Sequence, residues 1–335
     1  MTNQKDLIEY KKFLIEKRKL TVNEADQAVE IIKKLKEFSN LKDLSSLNKI
    51  ELMKFINHLM QTNQNTEQNI LALLRYNFFI NNKELVIALY ELIDGAEVLG
   101  NLSDKIKNEF GEKIWQEIFK ELTIPKLGDT SEKRPIVMGK VVKRLKQKIP
   151  LETCQKILAS GLHGGPATPE FKAKEHEKFL KAKNIDDFLL KKHNEYLQYL
   201  ESLMKEDKLY FTQEITPEVF EFVRNNPMIS GVRKGKIIEE IKIPYNTKEY
   251  LQAKNDIMKR YHYCHCMWVK EAIKNPKIEI SPTFCYCSAG FHQQFWEAAF
   301  NQPVKIDVVE TVLNGDFVCK FVIQIPENLL NGLKI

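Results

Sequence analysis

No stretch of this chain approaches about eighteen consecutive apolar residues, so no membrane-spanning helix is predicted. Met1 to Tyr10 is polar and charged and lacks the apolar core of a secretory signal. The predicted location is cytoplasmic, with no membrane partner. Cysteine is scarce, and 6 in 335 residues cannot staple a chain of this length. Thiols in such a setting act as metal ligands, catalytic groups or buried small apolar residues. A strong charge of one sign is also missing. The net charge of +6 is spread along lysine-rich helices, which reads as a solvated surface first and a nucleic-acid footprint second. The glycine-rich stretch "GLHGGPATPE" (161–170) lacks the Gly-Lys-Ser/Thr ending of a phosphate loop, and His163 within it reads as an exposed turn residue.

What is present points to more than one core. A chain of 335 residues exceeds the usual size of one compact domain, and 43% hydrophobic residues supply the interiors. The first 120 or so residues read as helices. Thr21 and Glu24 have capping-box spacing, followed by an apolar face of Ala25, Ala28, Val29, Ile32 and Leu35. Asn48 caps a second such helix with Leu52, Phe55, Ile56 and Leu59. A helix from about Lys83 is expected to stop near Asp94-Gly95.

Downstream the character changes. "KLYFTQEI" (208–215) and "KGKIIEEIKIP" (234–244) read as strands, Thr216-Pro217 opens a helix, and Asn246 is predicted to cap one running to about Lys259. In "PVKIDVVETVLNGDFVCKFVIQIP" (303–326), two β-branched runs flank Asn314-Gly315-Asp316, the chemistry of an antiparallel hairpin. The expected class is α+β: an N-terminal all-α helical bundle, then a C-terminal α+β domain with an antiparallel or mixed sheet. The expected boundaries are a bundle over 1–122, a linker over 123–135, a helical connecting region over 136–206 and the α+β part over 207–335.

Four cysteines fall in two identical spacings, Cys264-His265-Cys266 and Cys285-Tyr286-Cys287. In extended chain, residues two apart point to the same side, so two such pairs can offer four thiolates to zinc. Buried packing is the plainer alternative for the same thiols. A catalytic reading has its own logic. "SAGFHQQFWEAAF" after Cys287 reads as a helix with Phe291, Phe295, Ala299 and Trp296 inward, so Cys287 lies at a helix N-terminus that favours a thiolate. His265 is then the first choice for the histidine that takes its proton. His262 reads as a helix cap or a base, and His292 as a helix-surface residue or a base. Tyr263, Trp268, Phe284, Tyr286 and Trp296 are core residues, or together with His262 and His292 line a small ligand pocket.

Three resemblances extend this reading. The segments "LIEYKKFLIEKRKLTVNEADQAVEIIKKLKEF", "KIELMKFINHLM" and "LALLRYNFFI" resemble the SAM-like core-binding domain of tyrosine recombinases. That implies DNA, or a protein partner, for the bundle. Acidic and basic residues nearly balance over 1–100, and no recombinase set of arginines, histidine and tyrosine follows, which favours an interaction bundle. From Pro282 to Pro326 the chain resembles vinyl-reductase-like small-molecule-binding domains, through Cys287, Gly290, Gln302, Pro303, Val304 and the hairpin from Glu310 to Phe321. This resemblance implies an α+β fold, a small, partly apolar ligand, and in some members zinc held by cysteines and a glutamate of the hairpin. Glu310 and Cys319 match that pattern, while Leu313 stands where the family commonly has cysteine.

The same terminal pattern is similar to the L-2-amino-thiazoline-4-carboxylate hydrolase-like family, which implies a hydrolase of a small C–N-bonded substrate. Three functions are thus expected in order. The first is a small-molecule-binding or sensory protein with zinc at Cys264, Cys266, Cys285 and Cys287, or at Glu310 and Cys319. The second is a hydrolase using Cys287 and His265, and the third a DNA-binding protein acting through the bundle.

Overall fold

The computed structural model describes residues 4–41, 43–164 and 168–332, and of the glycine-rich stretch residues 165–167 lie outside the described residues. Contacts divide the chain into two compact units, Met1–Ala96 with Ile124–Thr130, and Glu97–Thr123 with Ser131–Ile335. The first contains helices α1 (Gln4–Glu16), α2 (Val22–Ser39), α3 (Lys49–Gln61), α4 (Glu67–Phe79) and α5 (Lys83–Ile93). Helix α2 starts at a reciprocal cap: the Glu24 N–H donates to Thr21 Oγ1 at 3.3 Å, and the Thr21 N–H to Glu24 Oε2 at 2.8 Å. Asn48 and Glu51 repeat the arrangement at α3. The faces these caps launch are buried, from Ala25 to Leu35 and from Leu52 to Leu59. The Tyr10 hydroxyl donates to the Ala72 carbonyl at 2.8 Å and ties α1 to α4. Residues 124–130 fold back within this unit. Asn65 Nδ2 donates to the Leu127 carbonyl at 2.8 Å, and Gly128, at φ +94°, lies against Ile56 and Met60.

The second unit opens with α6 (Val98–Phe119), which breaks at Gly111, and continues through α7 (Lys133–Lys148), α8 (Leu151–Ala159), α9 (Pro169–Leu180) and α10 (Ile185–Lys205). The predicted strand over 208–215 folds instead as a tight hairpin. Phe211, at φ 53°, turns β1 (Leu209–Tyr210) back on β2 (Gln213–Glu214). Thr216 caps α11 (Pro217–Arg224) with Pro217 in its first turn. The helix expected from Asn246 is interrupted. The Asn246 side chain makes no cap bond to α12 (Thr247–Gln252), and Asn255 starts a fresh helix, α13 (Asp256–Tyr263), by accepting the Met258 N–H at 2.9 Å.

The main sheet has β3 (Val232–Lys234), β4 (Ile237–Ile241), β5 (Ile306–Glu310) and β6 (Lys320–Gln324) in the order β3-β4-β6-β5, all antiparallel. The class is therefore α+β, helices first and then an antiparallel sheet. Alternation sets its buried face. Ile238 and Glu240 on β4, and Phe321 and Ile323 on β6, all point toward a core with Trp296 and Phe300. Helices α14 (Lys270–Lys274), α15 (Tyr286–Phe300) and α16 (Glu327–Gly332) complete the unit. Phe291, expected inward on α15, is 41% exposed. The stripe that packs runs through Ala289, Trp296, Ala299 and Phe300.

Helices α8 and α15 cross at Gly290. A Cβ there would stand 2.2 Å from the Ala159 carbonyl oxygen, so only glycine permits the approach. Gly290→Ala is expected to destabilise the fold by about 1–3 kcal/mol, the usual scale of overpacking, read as a lowered urea midpoint.

Candidate active site

The crossing at Gly290 brings the loop after α8 against the first turns of α15. Cys287 is the second residue of α15, which follows a 3-10 turn over Pro282–Cys285. Cys287 is 2% exposed and lies beside His163, close enough for thiol and imidazole to interact. His163 Nδ1 also faces Glu97 Oε1 at 3.4 Å. Glu97 directly precedes α6, and Asn101, one turn on, donates from Nδ2 to the Leu162 carbonyl at 2.8 Å. The loop that carries His163 is thus pinned to the helix that carries its carboxylate.

Electrostatics agree with the geometry. Burial alone would lower the His163 pKa, but the hydrogen bonds to Cys287 and Glu97 and the charge of Cys287 outweigh it and push it up to about 10. For Glu97, burial would raise the carboxyl. The hydrogen bond with His163 and backbone amides, including that of Gly164, hold it below its ordinary value. At neutral pH the imidazole is therefore protonated beside an ionised carboxylate. Because its folded pKa is raised, the stability it contributes is complete below about 6.5 and is lost as pH rises through about 10. A stability–pH profile is expected to decline over that alkaline window, and His163→Ala to remove this component. Thermal unfolding from pH 6 to 11 checks it.

Around this series lie a cation and a cleft. Lys242 Nζ donates to Ser288 Oγ at 2.8 Å on the first turn of α15. A cleft of about 390 Å³ is lined by His163 and Gly164 on the loop and by Gly290 and Gln294 on α15, among others.

The residues singled out in the sequence fall as follows. Five sulfurs draw together: Cys266 is near enough to Cys264, Cys287 and Cys285 to feel their charge, and Cys285 likewise to Cys319, Cys264 and Cys287. Burial, reinforced by these neighbours, pushes Cys266 and Cys285 well above the ordinary thiol range and Cys319 up to about 12. Burial also raises Cys264. The two Cys-X-Cys pairs do not present their sulfurs alike. Cys285 and Cys287 sit on a helical turn rather than extended chain, where residues two apart diverge by about 200°. Among the described residues, no group of three or more cysteine, histidine, aspartate or glutamate side chains is arranged to hold a metal ion. Glu310 is ion-paired with Lys320 across the hairpin.

The histidines also separate. His265 Nε2–H donates to the Ile243 carbonyl at 2.6 Å, and burial, aided by Lys242, depresses its pKa so that it is neutral. It is His163, read from the sequence as a turn residue, that meets the Cys287 thiol. His292 is partly buried, with Nδ1 3.1 Å from Glu240 Oε2, and burial lowers its pKa. Burial lowers His262 as well, and its Nδ1 is buried without a hydrogen bond. Tyr263, Trp268, Phe284 and Trp296 are nearly inaccessible core residues, and Tyr286 is partly buried. Glu97 and Lys242 carried no sequence signal. The one available for His163 was its place among glycines in a loop.

Fold and site together describe an α+β protein with a thiol, an imidazole and a carboxylate in series at the start of a helix. Residues 236–330 match a family of unknown function (DUF6144). No curated protein and no solved structure matches the chain. Among the described residues no helix is long and apolar enough to cross a membrane.

Proposed function

We propose that the protein is a thiol-dependent hydrolase of small C–N-bonded substrates, with Cys287 as nucleophile. The observation that carries the reading is His163, held between the Cys287 thiol and the Glu97 carboxylate. The protonated imidazole beside the sulfur is the proton donor that a departing nitrogen needs, and the carboxylate fixes the ring and stabilises its protonated form. Sulfur attacks the acyl carbon, His163 passes a proton to the departing nitrogen, and a thioester and a free amine result. Water then loses a proton to His163, attacks the thioester, and releases the acid and the thiol. Lys242, on the Ser288 hydroxyl, adds positive charge beside the first turn of α15.

The test uses p-nitrophenyl acetate. A burst of p-nitrophenol approaching one equivalent, with the acetyl group on Cys287, is expected from the wild type, and loss of the burst from His163→Ala. Acetylation confined to lysines, with no burst, would sink the reading.

A binding protein for a small, partly apolar molecule, with or without zinc, is the second reading. What favours it is the proximity of five sulfurs to one another. The aromatic residues proposed to line its pocket are packed closely, which favours the hydrolase. Tightly held zinc in purified protein, found by elemental analysis, would reverse that ranking.

A further inference from the structure

The cleft that His163 lines has an uneven chemistry along one wall. Cys287, Gly290, Gln294 and Glu297 follow one another on α15 at spacings of three, four and three, so they form a single stripe along the helix. The last three line the cleft. Along this stripe, among the described residues, the one unsatisfied buried group is an acceptor. Gln294 Oε1 is buried and receives no hydrogen bond. The Gln294 amide nitrogen packs toward Gly161, where a Cβ would come within 2.7 Å of it, so a side chain at 161 would displace the amide. Glu297 Oε1 receives only neutral donors, Gln293 Nε2 at 2.8 Å and the Val304 N–H at 3.4 Å. Among the described residues no lysine, arginine or histidine is ion-paired with Glu297.

A carboxylate without a counter-ion, next to an acceptor whose burial costs about 1–3 kcal/mol while it stays unpaired, is an environment completed by a donor from outside. The donor must supply several N–H groups and positive charge, which describes a primary ammonium or a guanidinium. Helix rise sets the reach. At about 1.5 Å per residue, Gln294 lies about 10 Å and Glu297 about 15 Å along the axis from Cys287. We propose that the substrate is a linear molecule with a cationic amino or guanidino end, bound by Gln294 and Glu297 about 10 Å or more from the acyl carbon that Cys287 attacks. A cleft of about 390 Å³ suits a small molecule of that length. The inference rests on the thiol-hydrolase reading and names its substrate class.

The experiment compares p-nitrophenyl esters of ω-aminooctanoate, octanoate and suberate, which differ only in a positive, neutral or negative far end. For the wild type, kcat/KM for the amino ester is expected to exceed that for octanoate by about tenfold or more, the scale of one hydrogen bond to a charged group. The suberate ester is expected to be the poorest. Glu297→Gln should bring the amino-to-octanoate ratio close to one, and Glu297→Asp, which keeps the charge, should retain part of the preference. Equal acylation of wild-type Cys287 by the amino and octanoate esters would overturn the substrate inference and leave the thiol reading standing. Failure of every ester to acylate Cys287 would overturn the thiol reading, and this inference with it.

Discussion

Cys287→Ala is expected to abolish acyl-enzyme formation and to remove the single thiol of the native protein that reacts rapidly with iodoacetamide at neutral pH. The expectation comes from a contrast among the six cysteines. Burial raises the pKa of Cys154, Cys264, Cys266, Cys285 and Cys319, and a thiol kept protonated is a poor nucleophile. Cys287 alone has His163 beside it, an imidazole whose own pKa is raised. One equivalent of label per chain should therefore map to Cys287 in the wild type, and none should be taken up quickly by Cys287→Ala. Turnover of any substrate that works through the thiol should fall by about 10³-fold or more, the scale seen when the nucleophile of such a series is removed. Rapid labelling spread over several cysteines, or labelling that survives Cys287→Ala, would remove the basis for a catalytic thiol.

The second large effect concerns stability. Glu240 is an acidic residue at a core position of β4, 4% exposed, and is surrounded by donors. Lys192 Nζ lies 2.7 Å from Oε1, and Oε2 receives the Trp296 indole N–H at 2.9 Å and faces His292 Nδ1 at 3.1 Å. Burial on its own would raise this carboxyl. Lys192 and His292 outweigh that and hold it far below its ordinary range. Glu240→Leu should cost about 3–5 kcal/mol, because it strands the Lys192 ammonium in a site where only 19% of that side chain is exposed. Adding Lys192→Met should recover part of the loss, since an apolar pair of similar volume leaves no unpaired charge. Urea denaturation of the two single variants and the double variant measures the coupling. If Glu240→Leu unfolds like the wild type, the cluster contributes nothing to the fold. The sign of the pH effect is also set. A depressed carboxyl gives stability that is present above about 4.5 and is lost as pH falls.

The parts of the fold written into neighbouring residues could be read directly. The caps at Thr21 and Asn48 and the apolar faces after them are local, and so is the alternation that buries Phe321 and Ile323. Cys287 at a helix start was legible for the same reason. Where local signals competed, reading went astray. "LYFTQE" has strand-forming residues but bends at Phe211, and Asn255 offered a better cap than Asn246. The extended geometry expected of the second Cys-X-Cys pair gave way to a helical turn begun by Ser281 and Pro282. The partners of Cys287 lie beyond the reach of any local pattern. His163 follows α8 in the chain, and α8 meets α15 closely because Gly290 leaves room, a contact encoded by the absence of one carbon atom.

The chain passes between its two compact units three times, at 96/97, 123/124 and 130/131. No single cut can therefore release either unit intact. A fragment beginning at residue 97 would carry residues 124–130 without the Ile56 and Met60 side chains they rest on. It would also turn Glu97, the carboxylate of the thiol series, into a frayed amino terminus. An internal excision that joins residue 123 to 131 through a short flexible bridge is the edit that respects this path, and recombinant pieces of the protein should be planned around it.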